Sequence, residues 1–273
     1  MTKRTALDLA ALLVAGIVIV FNLHAVTDFA RELVKRHHRK ELFAELKPVR
    51  LANCTLARFG NTHDGGYLMC SNLLGDVRSA YSYGIGGRDE WGCAMAQTLA
   101  VPVHEYDCFD TRRPDCAGVR SVFHEECVGE ALTDANGRVF DTLASQIARN
   151  GDAEKRLVVK MDIEGAEWQV LHAASDEIFA RIDQLVVEFH ETVQGQFIDV
   201  LQKLKRSFFI AHVHFNNSAC AEGVRPFPSR AYEVLFVRKS LAEVSARGGT
   251  PVLPAPLDRP NYPSVPDCQA VWH

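Results

Sequence analysis

Three acids flank a glycine in Asp162-Ile163-Glu164-Gly165-Ala166-Glu167, directly after the run Leu157-Val158-Val159-Lys160-Met161. Carboxylates crowded in this way repel one another unless they meet a cation, hydrogen-bond donors or water. A strand emptying into such a cluster therefore reads either as a ligand site or as a helix N-terminus capped by acids. In an open α/β sheet ligands bind beyond the carboxyl ends of the strands, and Asp162 stands at such an end. A second run, Leu185-Val186-Val187-Glu188-Phe189-His190, closes on Glu-x-His, and a third carries His212 and His214. Period-2 spacing puts each of these pairs on one face of its strand. A histidine at the rim that holds Asp162 can take a proton from a substrate hydroxyl. That makes His190 the first candidate base and His214 the second. Carboxylate plus imidazole is also a donor set for a divalent metal that lowers a hydroxyl's pKa. Such a metal is compatible with these residues but is not expected.

A different chemistry is written into Tyr81-Ser82-Tyr83-Gly84-Ile85-Gly86-Gly87, a strand running into a glycine-rich turn. Gly84, Gly86 and Gly87 let the backbone approach a nucleotide-like ligand, and the helix expected from Glu90 offers free N–H groups and the positive end of its dipole. About 20 residues on, Val103-His104-Glu105-Tyr106-Asp107 ends in an acid, where nucleotide-binding folds place a carboxylate for ribose hydroxyls. Asp107 is the candidate, with Glu105 as the alternative. Asp64-Gly65-Gly66-Tyr67 reads as a tight turn before a strand.

These residues need a scaffold. From residue 79 onward, short β-rich apolar runs alternate with helical patterns, which predicts a mostly parallel sheet with helices on both faces. Strands are expected over residues 79–84, 102–106, 121–124, 156–162, 184–190, 208–215 and 232–238, and helices over 90–100, 141–149, 165–182 and 192–206. The last two strands are joined by a Pro- and Gly-containing loop and predict an antiparallel pair closing the sheet.

The KMDIEGAEWQVL segment at residues 160–171 resembles the signature of FkbM-type S-adenosylmethionine-dependent methyltransferases, and the Glu-x-His strand matches the one that follows it there. HDGGYLMC at residues 63–70 and HVHFNN at 212–217 resemble a methyltransferase-like subgroup. The likeness spans roughly residues 50–240. One departure is the turn GIGGRDEWG, which stands where Asp-x-Gly-x-x-x-Gly is more usual. The resemblance implies a class I methyltransferase fold, Rossmann-like, with seven strands and an antiparallel last strand. It implies S-adenosyl-L-methionine as cofactor, bordered by Gly84, Gly86, Gly87, Asp107 and Asp162 and covered by the segment with Gly65 and Tyr67. Methyl transfer to a hydroxyl of a small molecule, a sugar or a lipid-linked glycan is the activity expected. Two other classes compete. A nicotinamide-dependent oxidoreductase predicts a third glycine where Asp89 stands and a Tyr-x-x-x-Lys, which the sequence lacks. A membrane-tethered binding module could keep the fold without turnover.

Composition bounds the rest. Net charge is -4, so nothing concentrates the positive charge that a nucleic-acid partner needs. The eight cysteines include no C-x-x-C pair, which argues against a zinc ribbon. Their even number fits disulfides and buried thiols alike. Residues 9–21 are an unbroken apolar run, preceded by Lys3 and Arg4 and followed by basic residues. Residues 1–26 are expected to act as a signal anchor, giving a single-pass membrane protein, or as a cleaved signal peptide, giving a lumenal or secreted one. Residues 27–47 then read as a polar stalk, 48–245 as the methyltransferase domain, and 246–273 as a Pro-rich tail, extended on the surface or disordered. Oligomeric state is left open.

Overall fold

The structure, a computed structural model, describes residues 27–116, 118–193, 195–246, 249, 253–270 and 272. The expected anchor at residues 1–26 lies outside them. Among the described residues no helix is long and apolar enough to cross a membrane.

A helix, α1, covers residues 27–45. A hairpin follows, β1 (Leu56–Gly60) with β2 (Gly66–Cys70), antiparallel. The chain then builds its main sheet from β3 (Ser79–Tyr83), β4 (Val103–Tyr106), β5 (Ser121–His124), β9 (Leu157–Met161), β10 (Ile182–His190), β11 (Phe208–Phe215) and β12 (Ala231–Arg238). Its order is β11-β12-β10-β9-β3-β4-β5. The β10–β9, β9–β3, β3–β4 and β4–β5 pairs are parallel, while β12 runs antiparallel to both β10 and β11. This is a mixed α/β fold with a seven-stranded, mostly parallel sheet, compatible with a Rossmann-like fold. Between β5 and β9 a small sheet orders β6 (Cys127–Val128), β8 (Val139–Asp141) and β7 (Leu132–Thr133).

Helices cover both faces. These are α2 (Glu90–Leu99), α3 (Leu143–Arg149), α4 (Glu167–Ala173), α5 (Asp176–Arg181) and α6 (Gln196–Ser207). Strands buried on both faces read as continuous apolar runs, which is why β9 is LVVKM and every residue of it is buried. Alternate side chains feed two cores. Leu157, Val159 and Met161 enter one with α4 and α6, while Val158 joins Trp91 and Met95 of α2 in the other, beneath the hairpin.

The stretch expected to be a polar stalk divides in two. Residues 27–37 are exposed, but Leu42, Phe43 and Leu46 are buried in the larger core. The Pro-rich tail is irregular, yet it is neither loose nor disordered where described. Asp258 accepts a 2.8 Å bond from His212, Asn261 donates to Glu233 at 2.8 Å, and Asp267 lies 3.1 Å from His214. Trp272 stacks on Phe43 and donates to its carbonyl. Proline content signals a chain that cannot join a sheet, but it says nothing of polar anchors whose partners stand about 30 to 50 residues earlier.

All eight cysteines are paired, as Cys54–Cys70, Cys93–Cys116, Cys108–Cys127 and Cys220–Cys268. The last bridge ties the tail to the loop before β12.

His214 makes the tail's docking sensitive to pH. Burial disfavours its charged form, but Glu233 and the Asp267 hydrogen bond outweigh that and hold its pKa at about 11. A histidine raised in the folded state adds stability that is full below its unfolded value, about 6.5, and is lost as pH climbs through the folded one. The thermal midpoint should therefore fall as pH rises from 7 towards 11, and His214→Gln should flatten that part of the curve. Identical slopes in both proteins would contradict the pairing.

Candidate functional site

Gly84, Asp107, Asp162 and His190 follow or end four neighbouring parallel strands, β3, β4, β9 and β10, at their carboxyl ends. Backbone bonds lock this rim together. Gly84 N donates to Tyr106 O at 3.0 Å, and Asp162 N to Tyr83 O at 3.0 Å. A cleft of about 900 Å³ opens there, lined by Gly65, Tyr67, Gly84, Gly86, Asp107 and Asp162 among others.

The glycine turn is shaped by two different constraints. Gly84 has φ +72°, and a Cβ there would stand 1.6 Å from the carbonyl oxygen of Asp162. Its lack of a side chain is what lets the backbones leaving the parallel strands β3 and β9 approach so closely. Gly86, at φ +54°, faces open space, with nothing within 4 Å of where a Cβ would stand. Gly87 does not line the cleft, and a Cβ there would meet Arg112 and Asp110 instead.

Asp107 borders the cleft but is already engaged. Its carboxylate accepts from Ile85 N and Gly86 N at 3.1 and 2.9 Å, and from Phe109 N and Asp110 N at 2.8 and 3.0 Å. A ribose contact at Asp107 would have to share or displace those amides. Asp107→Ala would strip four backbone donors of their acceptor, an expected loss of about 1–3 kcal/mol in stability by denaturant unfolding. A folded variant of unchanged stability would show that the bonds contribute nothing. The alternative acid, Glu105, is not among the lining residues. It is buried, and desolvation followed by the charge of Asp89 pushes its carboxyl up to about 8.

Asp162 is reached from two sides. The Tyr67 hydroxyl donates to its Oδ2 at 3.2 Å, and Lys160 Nζ lies 3.6 Å from the same oxygen. Lys160 itself is buried and donates to the carbonyls of Tyr83 and Gly84, so its side chain fastens the turn from below. Burial, then the charge of Asp162, drives the Tyr67 phenol well above its ordinary pKa, so it acts only as a donor.

Glu167 and Glu164 separate sharply. Glu167 is fully buried and accepts from Ile163 N and Gly165 N, as an acid at a helix start does. Its Oε1 also meets His190 Nδ1 at 3.1 Å. Glu164 is exposed and borders the cleft, with Oε2 3.5 Å from His190 Nε2. Burial works against a charged His190, but the Glu167 bond and charge outweigh it, with Asp162 and Glu164 adding, so its pKa lies above the usual histidine value. Among the described residues, Asp162, Glu164 and His190 form a group whose ligand atoms all lie within 4.8 Å of one another.

His214 is not brought to this rim. It is buried between Glu233 and Asp267, beneath the tail, and does not line the cleft. His212 is likewise taken up by Asp258. Both lie on β11, which the antiparallel β12 separates from β10, so histidine spacing alone could not tell them from His190. Glu188 is buried, accepts from Asn216 at 2.7 Å, and is pushed well up by burial and by the charges of Asp162 and Glu233. In the aromatic wall Tyr83 and Tyr106 directly precede Gly84 and Asp107 in the two strand-end motifs, whereas Phe109 and Phe140 lie in no motif, and only the fold brings the four together. Tyr83 and Tyr106 stack there with ring centroids 5.0 Å apart.

No family model matches the chain, and no curated protein matches it. Among solved structures, a crystal structure of Thermoplasma acidophilum 1320 is similar at 12% identity and a TM-score of 0.34, over 61% of this chain and 80% of that one. A likeness that slight carries no argument about the site.

Proposed function

We propose that the chain is an S-adenosylmethionine-dependent methyltransferase acting on a hydroxyl oxygen of a small-molecule, sugar or lipid-linked glycan acceptor. The observation that carries the reading is the meeting of the glycine turn, Asp107 and Asp162 on one cleft at the carboxyl rim of the sheet. The strand order supports it, since an antiparallel β12 set between β10 and β11 is the class I methyltransferase layout that the sequence resemblance leads one to expect.

The cleft suits the donor in three ways. Its volume is in the range of sites for ligands of nucleoside size or larger. Its lining holds seven carboxyl side chains against Arg88 and Lys160, a field that favours a cationic sulfonium over an anionic ligand. The empty space before Gly86 is a place where backbone approaches ligand and any side chain would intrude.

The donor supplies an activated methyl group. The chain's part is to align the acceptor oxygen with it and to exclude water, which the Tyr67 and Asp64 side of the cleft and the aromatic wall support. The acceptor oxygen bonds to the methyl carbon as the carbon–sulfur bond breaks, and that electron pair stays on sulfur. The hydroxyl proton leaves to the Asp162–Glu164–His190 group, which meets solvent through exposed Glu164. Four disulfides using every cysteine support an oxidising compartment. They fit a chain tethered in, or passed through, the secretory pathway.

The test is transfer of an isotopically labelled methyl group from S-adenosylmethionine to a panel of neutral glycosides and their phosphorylated counterparts. Label should pass to neutral hydroxyls in preference to phosphorylated ones, and Gly86→Val should abolish transfer while the chain stays folded. Transfer undiminished by Gly86→Val would place the donor elsewhere.

A further inference from the structure

The residues after β9 and the last residue of β10 converge from neighbouring parallel strands, with Met161 and Val187 in register behind them. Their ligand atoms, on Asp162, Glu164 and His190, fall within 4.8 Å of one another, and Glu164 Oε2 stands 3.5 Å from His190 Nε2. Donors bound to one ion at about 2.1 Å stand about 3–3.5 Å apart along a coordination edge, so only small side-chain adjustments are needed to close around a cation.

The histidine is held as a ligand would be. Its Nδ1 is tied to Glu167, a carboxylate outside the group, fully buried and itself fixed by two backbone amides. That bond sets the ring's orientation and leaves Nε2 to the carboxylates of Asp162 and Glu164, the outer-shell arrangement that orients metal-binding imidazoles. Asp162 gives only Oδ2 to Tyr67, and among the described residues no hydrogen bond reaches Oδ1. Lys160 Nζ lies 3.6 Å from Asp162 Oδ2, the oxygen that Tyr67 also holds, and donates to the carbonyls of Tyr83 and Gly84.

We propose that Asp162, Glu164 and His190 bind one divalent cation at the acceptor end of the cleft. Two carboxylates joined by an imidazole favour Mn²⁺, Fe²⁺ or Zn²⁺ over Mg²⁺ and Ca²⁺. Three protein ligands leave positions open, and an acceptor hydroxyl bound there loses its proton more readily, the proton then passing to water because the three side chains are taken up by the ion. That catalytic use rests on the methyltransferase reading, but the presence of the ion does not.

The experiment strips the full-length chain with a chelator, titrates it with MnCl₂ and follows free Mn²⁺ by electron paramagnetic resonance. One Mn²⁺ per chain should leave the free signal, and Glu164→Gln and His190→Gln should each weaken uptake by at least about tenfold. Glu164 is 88% exposed, so its variant keeps the fold, which circular dichroism checks. A free signal undiminished by the chain, or uptake by both variants as tight as that of the unsubstituted chain, would overturn the site. S-adenosylmethionine affinity measured on the same samples separates the claims. Donor binding without Mn²⁺ uptake sinks the cation alone, and Mn²⁺ uptake without donor binding sinks the methyltransferase reading alone.

Discussion

Replacing Gly84 with alanine is expected to cost about 4 kcal/mol or more of stability, because among the described glycines an added Cβ comes closest to backbone here. A Cβ there would lie 1.6 Å from the carbonyl oxygen of Asp162, and that oxygen belongs to backbone, which cannot rotate aside as a side chain would. The residue's φ of +72° adds the cost of a left-handed conformation for an L side chain, about 1–3 kcal/mol on its own. The ends of β3 and β9 would have to part. That would break the 3.0 Å bonds from Gly84 to Tyr106 and from Asp162 to Tyr83. The consequence reaches past stability, since the same two strands place the glycine turn against Asp162. Urea unfolding of the variant checks the claim. Gly86→Ala is the control, because its added methyl meets no protein atom within 4 Å and only the φ cost remains. Equal stability of the two variants would mean that the approach of Gly84 to Asp162 at the ends of β3 and β9 is looser than described.

The second large effect is on turnover. His190→Gln should lower the rate of methyl transfer by about 100-fold or more, the usual worth of a placed proton-transfer group or its equivalent. Affinity for the donor should change by no more than about threefold, or about 0.7 kcal/mol. The separation follows from position. His190 ends β10, beside Asp162 and Glu164, whereas the glycine turn and the aromatic wall lie on the far side of Asp162 along the rim. The substitution removes the partner of Glu167 Oε1, but that carboxylate keeps the amides of Ile163 and Gly165. Single-turnover rates with donor affinity measured in parallel give both numbers. Full turnover in the variant would remove His190 from the chemistry.

Most of the sheet was legible because period and burial coincide. Runs such as LVVKM and IDQLVVEFH keep an apolar centre on both faces because both faces are covered, with Lys160, Asp183, Gln184 and Glu188 as buried polar members, and each is expected within two residues of its observed ends. The helix expected over residues 165–182 proved to be two, Glu167–Ala173 and Asp176–Arg181. Its apolar spacing runs on through Ala174 and Ser175, where the backbone turns extended. The glycine turn, Asp107 and Asp162 were visible as strand-end residues, and Gly65 with Tyr67 as a turn. What could not be read was direction and partnership. Gly87 sits in the same motif as Gly86, yet it faces Asp110 and Arg112. His214 matches His190 in spacing, but its strand lies two places away across the antiparallel β12. The tail looked unstructured because Asp258, Asn261 and Asp267 find their partners on β11 and β12, far away in sequence.

Isothermal titration of the full-length chain with S-adenosylmethionine tests the central claim most directly. One donor should bind per chain, S-adenosylhomocysteine should compete for the same site, and Gly86→Val should abolish the heat in a chain that still unfolds cooperatively, its stability lowered only by the φ cost of about 1–3 kcal/mol. No saturable binding to the folded chain, or binding that Gly86→Val leaves untouched, would contradict it.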